Sequence, residues 1–345
     1  MHRFTTALAL LVALAVIWKL TRWIRPWDAL VLLHAGHDVI RGISPYPRSI
    51  HSPSVYDGHA FVYPYASAWI MGPLGALPTF AGQTVFLAIS AVALVGAWWI
   101  SRTRSTVVLL ALLLSSTTVI ALQIGSVEPL LLLGIVAAWR WRDKALLCGA
   151  CIATVVVAKV FLLPLLAWLV LARRWRAAGV AVAVSAALLL AGWSLGPLGA
   201  PAYMHMLDAL SRHESRQGWS FAGYMLRHGI APATADHLAI AVAGLTIITA
   251  WIVHLQSGSD ETLLVGCVAA SLFASPVVWA HYFVLLFLAP LIARLPRLVT
   301  LMLGVATWLV VLPHKVVVVH LGTWLTGTER AVGMQVLVVV VFAVV

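Results

Sequence analysis

The first long polar interval of this apolar chain, residues 25–65, holds the side chains best suited to chemistry. Its acidic residues are Asp28, Asp38 and Asp57, and its histidines are His34, His37, His51 and His59. Asp28 follows Pro26 and Trp27, where a carboxylate could act as a general base on a hydroxyl group. The same position, just before a predicted helix, equally suits an N-cap. Charge beside a membrane is costly to keep without a use, so the interval is the first place to expect a site.

Three further polar residues interrupt or adjoin apolar segments. Glu128, in QIGSVE, either takes part in a site or begins a helix before Pro129. Lys159 interrupts CIATVVVAKVFLLP with no acidic residue nearby in the sequence. An intramembrane lysine of this kind indicates anion binding more than a side chain that extends to the membrane surface. His281 either donates to a phosphate or sugar or bonds to the backbone.

An amphipathic helix is predicted from Asp28 to Arg41, ended by Gly42. At ~100° per residue, His34, His37 and Asp38 share one face with Arg41, and Asp28 points well away from it. Such a helix would lie in the membrane interface. His34, His37 and Asp38 are residue types of a metal site, but their spacing favours a solvated face. No P-loop, GxSxG, HExxH or paired CxxC motif is present, which argues against ATPases, serine hydrolases and zinc proteases.

The composition predicts an all-α polytopic membrane protein. Apolar residues make up 62% of the 345 positions and charged residues 10%, with a mean hydropathy of +1.01. We expect a single integral membrane domain over residues 1–345, a bundle of about ten to twelve transmembrane helices, with the interfacial helix after the first span. The predicted spans are 4–20, 81–100, 106–122, 127–139, 145–158, 160–172, 177–195, 237–256, 262–275, 278–293, 297–312 and 331–345. The N-terminal span is interpreted as retained, because no convincing cleavage site precedes Lys19.

The formal net charge of +11 indicates topology rather than nucleic-acid binding, because the basic residues lie at helix ends and not in one patch. If the N-terminus is cytoplasmic and segment 62–79 dips into the membrane and returns, the basic loops near residues 102, 142, 174 and 295 are all cytoplasmic. Five polar segments then meet at the outer face. They are the loops 21–65 and 196–236, the turn 123–128, the break around Lys159 and the turn 275–282.

Several motifs, in their order along the chain, resemble glycosyltransferase family 87, whose members are membrane enzymes of the GT-C superfamily. The order is Asp28, then GxxPY at 42–46, FxYP at 61–64 and PLxxLP at 73–78. Lys159 with Pro164 and the following ARRWRA, then SPxxWxH at 275–281, continue the similarity. The resemblance implies a GT-C-like bundle that transfers a sugar from a polyprenyl-phosphate donor, with inversion of configuration.

The resemblance also implies roles for single residues. Asp28 would be the catalytic base, and the donor phosphate and sugar would be bound by Lys159, Arg227, His281, Tyr63 and Glu128. The scheme needs no metal and no cofactor, since the polyprenyl-phosphate sugar is itself a substrate. The partners would be this donor, a glycolipid or lipoglycan acceptor and membrane lipids, but no nucleic acid.

The favoured function is transfer of mannose in α linkage at the outer, periplasmic face of the cell membrane, in cell-envelope biogenesis. Two alternatives stay open: an arabinofuranosyltransferase of the same family, and a flippase or transporter of lipid-linked sugars. Transporters tend to carry internal repeats and midplane charges. No repeat is evident here and the polar groups cluster at the outer face, which favours the transferase.

Overall fold

The computed structural model of the chain describes residues 26–47, 60–310 and 327–345. This part is all-helical, without a strand, and the prediction of an all-α polytopic membrane protein is confirmed. The predicted first span, 4–20, lies outside the described residues, as do Asp57, His51 and His59. The helices are α1 Trp27–Ile40, α2 Tyr65–Gly75, α3 Thr79–Ile100, α4 Thr106–Leu114, α5 Ser116–Ile124, α6 Glu128–Arg140, α7 Ala145–Ala158, α8 Leu165–Leu171, α9 Trp175–Leu195, α10 Ala200–Glu214, α11 Phe221–Arg227, α12 Pro232–Ser257, α13 Asp260–Ala274, α14 Leu288–Ile292, α15 Arg297–Val310 and α16 Gly327–Val344, with 3₁₀ turns at Val160–Leu162 and Ala280–Phe287.

Three described helices, α3, α9 and α12, are long and apolar enough to cross a bilayer. Crossing ~30 Å of hydrocarbon takes about 20 helical residues, and these three have 22, 21 and 26. The pair α4–α5 is bent by 54° and forms a fourth span if the two halves are counted together. The remaining apolar helices are shorter, so fewer of the predicted ten to twelve spans are unbroken helices than the apolar runs indicate.

The break between α4 and α5 has a local cause. Ser115 is the N-cap of α5, and its side-chain oxygen accepts a hydrogen bond from the Thr118 N–H (3.2 Å). This contact satisfies a backbone donor that α5 would otherwise leave unpaired. A capping serine within the predicted span 106–122 therefore begins a second helix in a new direction.

The first helix is close to its predicted position. It covers Trp27–Ile40, and Gly42 follows it with a φ of +72°, the left-handed conformation of helix ends. One face packs directly on α2. A Cβ built on Gly36 would lie 2.5 Å from the Met71 carbonyl oxygen, and one on Gly75 would lie 2.5 Å from the His37 nitrogen. Glycine at both positions lets the two backbones touch, which fixes α1 and the residues it carries.

The centre of the bundle is formed by α6, α13 and the segment 280–292. Nearly every side chain of α13 is buried, and so are those of His281–Ile292. Long apolar side chains of α12 instead face outward, among them Ile240, Leu245 and Leu255. An exposed apolar surface of this kind is what hydrocarbon requires of a lipid-facing helix.

The basic loops meet at one end of the bundle. Arg174 donates to the Arg142 carbonyl (2.7 Å) and to the carboxylates of Asp143 (3.0 Å) and Asp260 (2.7 Å). Arg102 pairs with Glu261 at 2.9 Å. The loop 257–261, which has no basic residue to show its side, is thus tied to the basic end by its two acids.

These contacts also show that segment 145–172 leaves the basic end and returns to it. Residues 142–143 precede the segment and Arg174 follows it, yet they are in contact. Between them the helix stops at Lys159, whose backbone is extended (φ −145°, ψ 104°). The predicted turn near Lys159 is therefore present.

Candidate active site

A cavity of about 370 Å³ lies at the end of the bundle away from the basic loops. Its volume is within the ~300–1,000 Å³ of small-molecule sites. The walls come from residues 28–31, 60–64, 158–161, 203–214 and 275–282. Glu128 lies directly behind the wall, in contact with Lys159. Four of the five polar segments that the sequence assigns to one face thus line one cavity, and the fifth, the turn 123–128, reaches it through the contact of Glu128 with Lys159.

Asp28 stands in the first turn of α1 and not at its N-cap. The N-cap is Pro26, and no side chain caps the helix there. The Asp28 side chain is 28% exposed, and it lines the cavity. Its Oδ2 lies 3.6 Å from His281 Nε2, which is longer than a hydrogen bond. The carboxylate is therefore placed to meet a ligand rather than to complete the helix.

The surroundings of Asp28 raise its pKa to about 7. Burial is the main cause, the positive charge of Lys159 opposes it, and the negative charges of Glu128 and Glu214 add to it. Desolvation penalises the charged form of a carboxyl group, whereas a nearby cation favours it. A base acts best when its pKa is close to the working pH, so Asp28 can accept a proton near neutrality.

Lys159 is held as a fixed cation. Its Nζ donates to Glu128 Oε1 (2.7 Å) and to the Tyr282 hydroxyl (2.8 Å), and it lies 5.4 Å from the centre of the Tyr63 ring. The sequence has no acidic residue close to Lys159, and the acid that pairs with it is distant along the chain. Glu128 precedes it by 31 residues, and only the packing of α6 against α7 brings the two together.

Glu128 is the first residue of α6 and is fully buried. One carboxylate oxygen binds Lys159; the other, Oε2, has no hydrogen-bond partner within the described residues and lies 3.7 Å from His281 Nε2. The side chain does not line the cavity. It acts on the cavity through Lys159, whose charge it balances.

Of the other predicted site residues, two line the cavity and one does not. His281 lines the cavity, and its Nε2 lies between the carboxylates of Asp28 and Glu128. Tyr63 is buried in the cavity wall, with its backbone carbonyl accepting from the Tyr46 hydroxyl (3.0 Å). Arg227 does not reach the cavity. Its Nη1 donates to the carbonyls of Arg216 (2.9 Å) and Gly218 (2.8 Å) and so fixes the loop before α11.

Sequence reasoning missed several cavity residues, among them Tyr282 and Glu214. Tyr282 directly follows His281, so the sequence indicates that it lies near the site. Its hydrogen bond with Lys159 could not be predicted, because the two residues are distant in the sequence. Glu214 ends α10 and lines the cavity, and burial raises its pKa. The amphipathic pattern of α10 predicts a helix with a polar face, but it does not show which polar residue of that face lines the cavity.

No group of three or more His, Cys, Asp or Glu side chains that could hold a metal ion is found within residues 26–47, 60–310 and 327–345. His37 of α1 has its Nδ1 3.2 Å from the Gly75 carbonyl oxygen.

The family model described as glycosyltransferase family 87 matches residues 61–279, more than half of the chain. The chain belongs to glycosyltransferase family 87. No curated protein and no solved structure matches it. The matched region of this family 87 protein includes Tyr63, Glu128, Lys159 and Arg227, whereas Asp28 and His281 lie outside it. The protein is therefore a membrane glycosyltransferase, which transfers a sugar from a donor to an acceptor.

Proposed function

We propose that this protein transfers mannose in α linkage from a polyprenyl-phosphate donor to a glycolipid or lipoglycan acceptor of the cell envelope. Asp28 acts as the general base and the reaction inverts the anomeric configuration. The observation that carries the proposal is the cavity itself. It places a carboxylate with a pKa of about 7 and a fixed lysine cation in one enclosed space.

The proposed step is a single displacement. The oxygen of an acceptor hydroxyl forms a bond to the anomeric carbon while the bond from that carbon to the phosphate oxygen breaks. The electron pair of the broken bond leaves with the polyprenyl phosphate, and Asp28 takes the acceptor proton. Positive charge and donors fixed where charge develops stabilise such a transition state. Lys159 Nζ and the Tyr282 hydroxyl, 2.8 Å apart, are the groups fixed for this purpose.

The rest of the cavity suits a lipid-linked donor. Beside the polar groups, its lining contains large apolar side chains, among them Phe161, Leu207 and Trp279. A polyprenyl chain could lie along such a surface while its phosphate meets Lys159. A water-soluble nucleotide-sugar donor would not need it.

The outer face is proposed from the charge distribution. Short cytoplasmic loops carry an excess of Lys and Arg, and the loops around Arg102, Arg142 and Arg174 meet at one end of the bundle. The cavity lies at the other end. With the basic end in the cytoplasm, the cavity opens on the outer side of the cell membrane.

Membranes that contain the protein should be incubated with labelled polyprenyl-phosphate mannose and, separately, with labelled polyprenyl-phosphate arabinose. The proposal predicts mannose in a glycolipid product. A product that carries arabinose instead would show that the protein is a transferase whose sugar is arabinose and not mannose. Movement of the labelled lipid across the membrane without any product would contradict a transferase and support a flippase.

A further inference from the structure

Glu214 is a carboxylate of the cavity that the proposed reaction leaves without a task. It is the last residue of α10, and its side chain lines the cavity with Asp28 and Lys159. It is close enough to both for their charges to interact with its own. Its carboxylate makes no hydrogen bond and no ion pair within the described residues. Both of its oxygens are therefore available to a ligand.

The backbone around Glu214 is held in place. Its carbonyl accepts from the N–H groups of Gln217 (2.9 Å) and Gly218 (3.1 Å), which forms a tight turn after α10. That turn is joined to the cavity wall opposite, because the Trp219 N–H donates to the Val278 carbonyl (2.6 Å) and the Ser220 hydroxyl to that of Pro276 (2.6 Å). Because the backbone is fixed, the Glu214 carboxylate can form hydrogen bonds only with ligand groups at particular positions.

The charge of Glu214 limits what it can bind. A carboxylate repels a phosphate, so the part of the ligand that meets Glu214 is not the anionic part. A carboxylate offers two acceptor oxygens and no donor when ionised, which suits two neighbouring hydroxyl groups. Because Lys159 takes the phosphate in the proposed function, the sugar attached to that phosphate is a hydroxyl-rich group within reach, and it is held there before any acceptor binds.

We propose that Glu214 is a specificity-determining residue, which accepts hydrogen bonds from two hydroxyls of the sugar being transferred. This inference rests on the proposed function. It assigns Glu214 to sugar recognition and leaves proton transfer to Asp28. A site built to bond a substrate hydroxyl discriminates strongly against analogues that lack it.

The test compares binding of two lipids to the purified protein in detergent: polyprenyl-phosphate mannose and the same polyprenyl phosphate without sugar. The ratio of the two affinities within one preparation does not depend on the fraction of folded protein. Hydrogen bonds to a charged group predict that Glu214→Ala lowers this ratio about ten- to hundredfold. Glu214→Gln, which keeps the volume, should lower it less. The control is Asp208→Asn on the same helix, where Asp208 pairs with Arg212 outside the cavity.

An unchanged ratio in Glu214→Ala would overturn the inference and leave the proposed function in place. An equal loss of both lipids would also overturn it, since Glu214 would then support the cavity and not the sugar. A wild-type protein that binds neither lipid would overturn the proposed function together with the inference.

Discussion

The pair of Lys159 and Glu128 gives a sharp prediction about stability and activity. Their side chains are 9% and 0% exposed, and the Nζ to Oε1 distance is 2.7 Å. Removal of one partner of a buried, hydrogen-bonded pair costs ~3–5 kcal/mol, because the other charge is left uncompensated. We therefore expect Lys159→Met to lower the free energy of unfolding by about this amount.

Removal of both charges should recover most of the lost free energy of unfolding. In Lys159→Met/Glu128→Gln no ion is left buried without a partner, and neutral replacements of buried pairs are often tolerated. Because each single substitution should cost ~3–5 kcal/mol and the double substitution little, the double-mutant cycle should give a coupling of at least ~3 kcal/mol, the upper end for residues in contact. The measurement is equilibrium unfolding in mixed detergent micelles, followed by tryptophan fluorescence.

The matched control is the more exposed pair of Arg102 and Glu261, whose side chains are 50% and 22% exposed. Ion pairs at the surface contribute ~0–1 kcal/mol, so Arg102→Met should change stability by no more than that. If Lys159→Met is as stable as the wild type, the buried ion pair does not carry the stability assigned to it.

Activity separates the two roles of Lys159. The stable double variant still lacks the cation, so donor use should fall about ten- to hundredfold, as expected for lost charge-assisted hydrogen bonds. Wild-type donor kinetics in that variant would show that Lys159 supports the fold and does not hold the phosphate.

Three further predictions follow from particular residues. Because Asp28 must lose its proton to act and its pKa is about 7, the transfer rate should rise about tenfold per pH unit below 7 and level off above it; an acidic limb near pH 4 in initial rates would refute this. Gly36→Ala should destabilise the protein and reduce transfer, because the added methyl meets the Met71 carbonyl, whereas Gly179→Ala, with nothing within 4 Å, should unfold no more easily than the wild type. With the basic end in the cytoplasm, a membrane-impermeant thiol reagent added outside cells should label Arg212→Cys and not Arg176→Cys; the reverse pattern would invert the proposed orientation.

The sequence predicted the features that depend on local patterns. The start and end of α1 follow from a polar interval, helical periodicity and Gly42, and the structure places them within one residue of the prediction. The meeting of five polar segments at one cavity follows from the same logic. Polar segments between apolar spans have to leave the membrane, and the basic loops indicate which of them leave on the same side.

The features that the sequence did not reveal depend on packing between distant segments. Nothing local pairs Lys159 with Glu128, since the contact exists only through the packing of α6 against α7. The guanidinium of Arg227 was expected at the cavity, but its Nη1 donates to two carbonyls of the loop that precedes it in the chain. Helical periodicity shows that a helix has a polar face, but it does not show which neighbour that face meets.

Asp28 carries the proposed proton transfer, and one substitution tests this role directly. Asp28→Asn keeps the size of the side chain and removes its ability to take a proton. It also removes a buried charge that burial disfavours, so thermal stability at neutral pH should not fall. The control is Asp38→Asn on the same helix, because Asp38 does not line the cavity of Asp28.

Transfer of labelled mannose should be measured with both variants at equal, folded protein concentration. We predict that Asp28→Asn loses ~10²–10⁴ of the transfer rate, the contribution of a general base, and that Asp38→Asn stays close to the wild type. An Asp28→Asn protein that transfers sugar at the wild-type rate would contradict the assignment of Asp28 as the catalytic base.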